Sequence, residues 1–237
     1  MKLAIMQPYF FPYLGYFSLI NQSDEIVLFD TPQFMRKGWI ERNRIGKLTG
    51  GSVYIKVPLV KSDLNTSIKD MKIDNRTDWR NKILSQLDIY RKKAPYYKKV
   101  KSLVEAAIEQ EFDSIVKLNE QALKLVCEYL NIDTKISVFS ELNLTIDTPK
   151  AADEWALNIC QAMGVKHYVN APGGQSFFDT KKYSDKDVSL HFVEQPLDIY
   201  EQLSSEFEPG LSIIDVMMFN SPDDINRMLS KGSLIQN

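Results

Sequence analysis

At 237 residues, 44% hydrophobic and 25% charged, the chain can bury a core without metal or disulfide staples, and its two cysteines exclude a disulfide framework. No run approaches the roughly 18 apolar residues of a membrane span, and the stretch before Gln7 and Pro8 is too short for an export signal, so a cytoplasmic protein with no membrane insertion is expected. The net charge of −2 hides an asymmetry: Arg36 to Lys101 carries 18 Lys/Arg against 6 Asp/Glu, a balance of +12, and the remainder 11 against 25, a balance of −14. Such a separation attracts polyanions locally, or it merely keeps a helix face wet.

Lys2 to Met6 reads as a short buried strand, followed by a turn bracketed by two prolines. Tyr13 to Gln22 reads as a helix with Leu14, Phe17 and Ile20 inward, and Glu25 to Phe29 as a second strand ending at Asp30. This strand–loop–helix–strand unit predicts a parallel sheet. Trp39 to Ile45 and Ser52 to Val57, separated by Gly46 and Gly50-Gly51, read as two strands joined by a turn, and Ser67 to Ile73 as another strand. Helical patterns cover Asp78 to Lys92, Pro95 to Gln110 and Asp113 to Leu130.

Lys135 to Phe139 returns to strand. Thr148-Pro149 opens a predicted helix to Met163, closed by Gly164; Lys166 to Val169 is a strand ending in Asn170-Ala171-Pro172-Gly173-Gly174. Val188 to Val193 alternates as a strand, and Leu211 to Phe219 and Pro222 to Lys231 close the chain as helices. Ser212 and Asp215 have the spacing of a variant capping box. The organisation expected is one α/β domain over 1–237. Its parallel-sheet core comes from about 1–60 and 132–237, with a basic, helix-rich insertion at about 61–131.

Open parallel sheets bind ligands beyond the carboxyl ends of their strands. Three loops are expected at that edge: Gln7 to Pro12, Asp30 to Lys37, and Asn170 to Gln175. None carries a glycine-rich dinucleotide or P-loop signature. In the first, Gln7 follows a buried strand and needs hydrogen-bond partners, Tyr9 and Tyr16 belong to a dense aromatic group, and Gly15 permits close approach at a helix start. In the second cluster, Lys37, Trp39, Arg42, Asn43 and Arg44 follow Asp30. On a strand Arg42 and Arg44 share a face and form a clamp for phosphate or carboxylate, while Trp39 stacks on a base or packs beneath the hairpin. Gly173 and Gly174 expose backbone N–H groups, or make a plain turn. His167 is the better general-base candidate of two histidines, with a core histidine as the alternative; no metal-ligand set is apparent, and Cys127 and Cys160 read as packing residues.

At these residues the chain resembles a known family. Met6-Gln7-Pro8-Tyr9-Phe10-Phe11-Pro12-Tyr13-Leu14-Gly15-Tyr16-Phe17 is similar to the opening signature of the WbqC-like family, and Lys37-Gly38-Trp39-Ile40 with Arg42-Asn43-Arg44-Ile45 to its second motif. Tyr90 with Ala94-Pro95-Tyr96-Tyr97, and Leu211-Ser212-Ile213-Ile214-Asp215, resemble the later ones; Glu41 departs from the small polar residue expected there. The resemblance implies a role in bacterial surface-polysaccharide (O-antigen, lipopolysaccharide) biosynthesis. The activity expected is a transferase that acylates, for instance glycylates, the amino group of a nucleotide-linked amino sugar. Asp30, His167 and Gln7 are then candidates for catalysis, and Asp215 joins the substrate-binding candidates through the last motif.

A second likeness is topological: strand, proline-containing loop, glycine-aromatic helix start and strand resemble the HUP-type core of nucleotidyltransferases and class I aminoacyl-tRNA synthetases. Tyr13-Leu14-Gly15-Tyr16 has the spacing of their H-x-G-H motif, with tyrosine at both histidine positions. The alternatives kept open are therefore nucleotidyl transfer or ATP-dependent activation with magnesium, and non-catalytic binding of a nucleotide sugar. An aminoacyl-tRNA donor would give the basic insertion a task, and a homodimer is also open.

Overall fold

The computed structural model describes residues 1–236. The chain opens with β1 (Lys2–Met6), α1 (Leu14–Asn21) and β2 (Glu25–Leu28), then forms a separate antiparallel hairpin of β3 (Arg42–Gly46) and β4 (Ser52–Lys56). Next come α2 (Trp79–Leu87), α3 (Tyr97–Glu109), α4 (Ile115–Tyr129), β5 (Lys135–Val138), α5 (Glu154–Ala162) and β6 (His167–Asn170). The chain closes with α6 (Thr180–Ser184), β7 (Ser189–Glu194), α7 (Ile213–Phe219), α8 (Pro222–Leu229) and β8 (Ser233–Gln236). The central sheet runs β5-β2-β1-β6-β7-β8; its first five strands are parallel and only β8 is antiparallel. The architecture is mixed α/β with a mostly parallel sheet, as the sequence led us to expect.

The period of two along the strands decides the layers. Ala4, Ile26 and Leu28 face one core with α1, α4, α7 and α8; Leu3, Ile5 and Val27 face a second, smaller core with α5 and Tyr183 of α6. A sheet covered on both faces needs near-continuous apolar strands, which is why Leu3-Ala4-Ile5 and Ile26-Val27-Leu28 are buried throughout. Helix α1 is buried at every position from Leu14 to Ile20, not on one stripe. Apolar side chains of α2, α3 and α4 join the larger core.

Several expected elements differ. Ser67 to Ile73 is not a strand: Ile68–Asp70 is a single 3-10 turn, flanked by isolated bridges at Ser67 and Ile73. Ser67 Oγ bonds to Asp70 at 2.5 Å, a local contact that favours the turn over a ladder. The first hairpin strand starts at Arg42, because residues 36–41 turn. The helix expected from Thr148 starts at Glu154, six residues later, so Pro149 lies in the preceding irregular segment. Gly164, at φ +66°, terminates that helix as expected. The variant capping box does not form: Ser212 accepts the N–H of Ile214, while the Asp215 carboxylate turns inward. The capping box is one helix later, between Ser221 and Asp224.

Candidate functional site

β1 lies between β2 and β6, and its own connection leads to β2, so chain direction across the sheet diverges between β1 and β6. This switch point is where an open α/β sheet leaves a crevice. The loop that leaves β1 there is held through its carbonyls. Gln7 O accepts the Tyr16 hydroxyl at 2.8 Å and Pro8 O the Asn119 amide at 2.8 Å. The Asn43 amide donates to Phe10 O at 3.1 Å and Phe11 O at 2.9 Å; Ser212 Oγ also donates to Phe11 O at 2.7 Å, and Pro12 O takes the N–H of Ile213. This lattice holds Phe11 at φ +39°, a left-handed conformation that costs a non-glycine residue on the order of 1 kcal/mol or more. The loop is over-determined, and its shape is fixed before any ligand arrives.

A cavity of about 360 Å³ opens beside it. Gln7 and Tyr9 come from the loop, Phe29 follows β2, Trp155 and Ala156 come from α5, and Tyr168 and Asn170 from β6. Gly173, Gly174, Phe177 and Phe178 close the far side. Trp155 lies 5.3 Å from Phe29 and Tyr168 5.9 Å from Phe178, centroid to centroid, so the wall is aromatic on both flanks. Among the described residues no Asp, Glu, Lys, Arg or His lines it; its side-chain polar groups are the carboxamides of Gln7 and Asn170 and the phenols. Asn170 Oδ1 accepts the N–H of Ala171 at 2.8 Å, which leaves its amide hydrogens as donors. Burial raises the pKa of Tyr9, with Tyr13 adding to it, so Tyr9 remains a phenol and a hydrogen-bond donor. Such a wall accepts a flat or cyclic uncharged group and reads its edge through amides.

Gly174 matters here for space. A β-carbon at this position would sit 2.9 Å from Asn170 Nδ2 and 2.9 Å from the Phe178 ring. Gly174→Ala is expected to push these side chains apart, narrow the cavity and destabilise by about 1–3 kcal/mol. Urea denaturation reads the stability, and a wild-type midpoint would contradict the crowding.

The other sequence candidates are placed elsewhere. Asp30 is buried and does not line the cavity; its carboxylate accepts the N–H and hydroxyl of Ser140 at 3.1 and 2.6 Å. His167 is exposed at the first residue of β6, the amino edge, opposite the cavity; its Nδ1 is 2.7 Å from Ser189 Oγ. Arg42 and Arg44 do share a face, but they do not form an open clamp. Arg44 pairs with Glu208 at 2.9 Å, with carbonyls of residues 209 and 210 nearby, and Arg42 bonds to Lys37 O and lies 4.1 Å from the Tyr54 ring centroid. Lys37 and Trp39 are exposed on that hairpin side. Gly15 is in the α1 start, where a β-carbon would strike the Tyr13 ring at 2.5 Å. Asp215, fully buried, accepts from Tyr90, from Tyr200 at 2.9 Å and from Gly46 N at 3.1 Å.

Thus Gln7, Tyr9, Asn170, Gly173 and Gly174 meet at one cavity, whereas Tyr16 and Asn43 support its loop from behind. The sequence reading missed Trp155, Phe177, Phe178 and Asn119. Asn119 carried a signal: it stands among Ile115, Leu118 and Ala122 on the buried side of α4, where an amide must serve a buried acceptor. Among the described residues no three His, Cys, Asp or Glu side chains gather as a metal site. No helix of the described residues is long and apolar enough to cross a membrane.

Residues 7–227 match the WbqC-like protein family. The chain is 29% identical over 222 residues to "Uncharacterized protein Rv1507c" of Mycobacterium tuberculosis, covering 92% of this chain and 93% of the relative. No solved structure matches.

Proposed function

The chain belongs to the WbqC-like protein family, and from that premise we propose that it acylates the amino group of a nucleotide-linked amino sugar for a bacterial surface polysaccharide. The observation that carries the reading is the uncharged, aromatic cavity of about 360 Å³ at the switch point between β1 and β6. Its size suits one ring system, a nucleobase or a sugar, with the diphosphate directed to solvent. Trp155 and Phe29 offer stacking faces, and Gln7 and Asn170 hydrogen-bond to ring edges or hydroxyls. The HUP-type likeness adds the expectation of a nucleotide at this edge.

In the reaction the sugar amine bonds to the acyl carbonyl carbon, the bond from that carbon to the donor's leaving atom breaks, and the amine's proton passes to solvent. The donor is an activated acyl group, such as an aminoacyl-tRNA or an acyl group activated by ATP with magnesium. With no carboxylate or imidazole on the wall, the attacking amine arrives already neutral. The rate is then expected to rise with pH and level off at the amine's own titration.

Incubation with nucleotide-linked amino sugars and activated acyl donors, read by mass spectrometry, tests this. The expected result is an acyl mass gain on the sugar, reduced about tenfold or more in Trp155→Ala and in Gln7→Ala. No gain with any donor overturns the transferase reading. If the sugar still binds, the protein is a non-catalytic nucleotide-sugar binder.

A further inference from the structure

The segment from Arg36 to Lys101, with 18 Lys/Arg against 6 Asp/Glu, gathers four of its cations around a second cavity of about 340 Å³. Arg36, Lys37, Lys56 and Lys61 line it together with Glu41, and it shares no wall residue with the switch-point cavity. Among the described residues none of these four cations has an ion-pair partner, whereas Lys117, Lys124 and Lys182 are each held by a carboxylate. Arg36 donates to Ser62 O at 2.7 Å, and the three lysines are exposed. Unpaired cations around a concavity attract phosphate.

Glu41 adds a second requirement. It is 3% exposed; one carboxylate oxygen accepts the N–H of Lys37 at 2.8 Å, and the other is buried without a partner. A buried carboxylate oxygen calls for a hydrogen donor. The adjoining chain supplies a third element: Trp39, two residues before Glu41, and Tyr54, two residues before Lys56, are 40% and 42% exposed. Hairpin register sets Tyr54 opposite Arg44 and Lys56 opposite Arg42, so the Tyr54 ring shares its face with cations, and the Trp39 ring centroid lies 6.0 Å from the Arg44 guanidinium.

We infer that this face of the β3–β4 hairpin binds single-stranded RNA. Its phosphates meet Lys37, Lys56 and Lys61, a base stacks on Trp39 or Tyr54, and a ribose 2′-hydroxyl donates to the unpartnered oxygen of Glu41. An RNA strand combines the repeated anion, the flat face and the hydroxyl donor that these three features demand. The inference stands apart from the reading of the switch-point cavity and fails or holds without it.

Fluorescence anisotropy with a labelled oligouridylate, the matching oligodeoxyuridylate and unlabelled ADP as competitor tests it in the full chain. The oligouridylate is expected to bind with a salt dependence whose log–log slope falls by about 1 for each of Lys37→Ala, Lys56→Ala and Lys61→Ala. It is expected to bind about tenfold tighter than the deoxy strand, and Glu41→Gln to remove that preference while retaining the salt slope. Circular dichroism melts establish that the variants fold. The inference is overturned by no binding of the oligouridylate, by binding the triple lysine variant leaves unchanged, by equal ribo and deoxy affinities, or by ADP binding as tightly as the strand.

Discussion

Asp215→Ala is expected to lower stability by about 3–5 kcal/mol, a fall of roughly 6–20 °C in the thermal midpoint for a chain of this size. The carboxylate is fully buried, and three donors converge on it: the Tyr90 and Tyr200 hydroxyls and the N–H of Gly46. Each belongs to a different part of the chain, so one side chain ties α7 to the hairpin, to the turn after α2 and to the segment before α7. Alanine strands the two hydroxyl donors in a dry site and leaves the Gly46 N–H only its bond to the Tyr90 oxygen at 3.0 Å. Asparagine is expected to recover only part of the loss, because its NH2 group opposes donors already present. Glycine is what lets the backbone at position 46 approach the carboxylate, since a β-carbon there would lie 2.9 Å from Asp215 Oδ2.

The same carboxylate sets a pH dependence. Burial raises the Asp215 pKa above its ordinary 3.8, against the lowering effect of its hydrogen bonds from Tyr90, Tyr200 and Gly46. The native state therefore holds this proton more tightly than the unfolded chain. The associated stabilisation is complete below pH 3.8 and is lost as pH rises through the raised native value. Urea denaturation across the acid range should show the gap between wild type and Asp215→Asn narrowing as pH rises. An Asp215→Ala variant within about 1 kcal/mol of wild type would sink the account.

The second large effect is expected at Asn43. Asn43→Ala removes both hydrogen bonds to Phe10 O and Phe11 O and the contact of its Oδ1 with Arg44 N at 2.8 Å. Phe10 O is left unpaired, at about 1–3 kcal/mol, while Phe11 O keeps the Ser212 hydroxyl, so a loss of about 2–3 kcal/mol is expected, with part of the strain at Phe11 released. Amide hydrogen exchange should locate the damage: the Phe10 N–H, bonded to Trp39 O at 2.9 Å, is expected to lose protection before the strands of the sheet do. Unchanged protection there would mean that the loop holds itself without Asn43.

Much of this core was legible in the residues. Leu3-Ala4-Ile5 and Ile26-Val27-Leu28 are continuous apolar runs between turn residues, and such runs are buried parallel strands. The hairpin was readable from Gly50-Gly51, both at positive φ. The short edge strand β8 was not, because four residues reading Ser-Leu-Ile-Gln carry too little pattern. Pro149 misled as a helix-start signal, since a proline also suits an extended approach. At the site, Gln7 stood out as an amide following a buried strand and Asn170 as the start of a loop at the carboxyl edge, and both line the cavity. Tyr16 stood out with the aromatic group after β1, Asn43 with the two arginines and Asp215 through the last family motif, yet they serve internal acceptors and donors. One-dimensional spacing marks a buried polar group without naming its partner. Trp155 and Phe178 were invisible because an aromatic at the edge of a cavity has the spacing of an aromatic in a core.

The clamped loop also bears on how the protein acquires its shape. Its carbonyls are met by donors 9, 32, 111 and 201 residues further along the chain: Tyr16, Asn43, Asn119 and Ser212. Closing contacts of that span costs chain entropy before they stabilise anything, so they form late in folding. The left-handed turn at Phe11 has little to sustain it until α7 docks. The switch-point cavity is therefore among the last features to be completed, and a partly folded chain would have its sheet before it had its pocket.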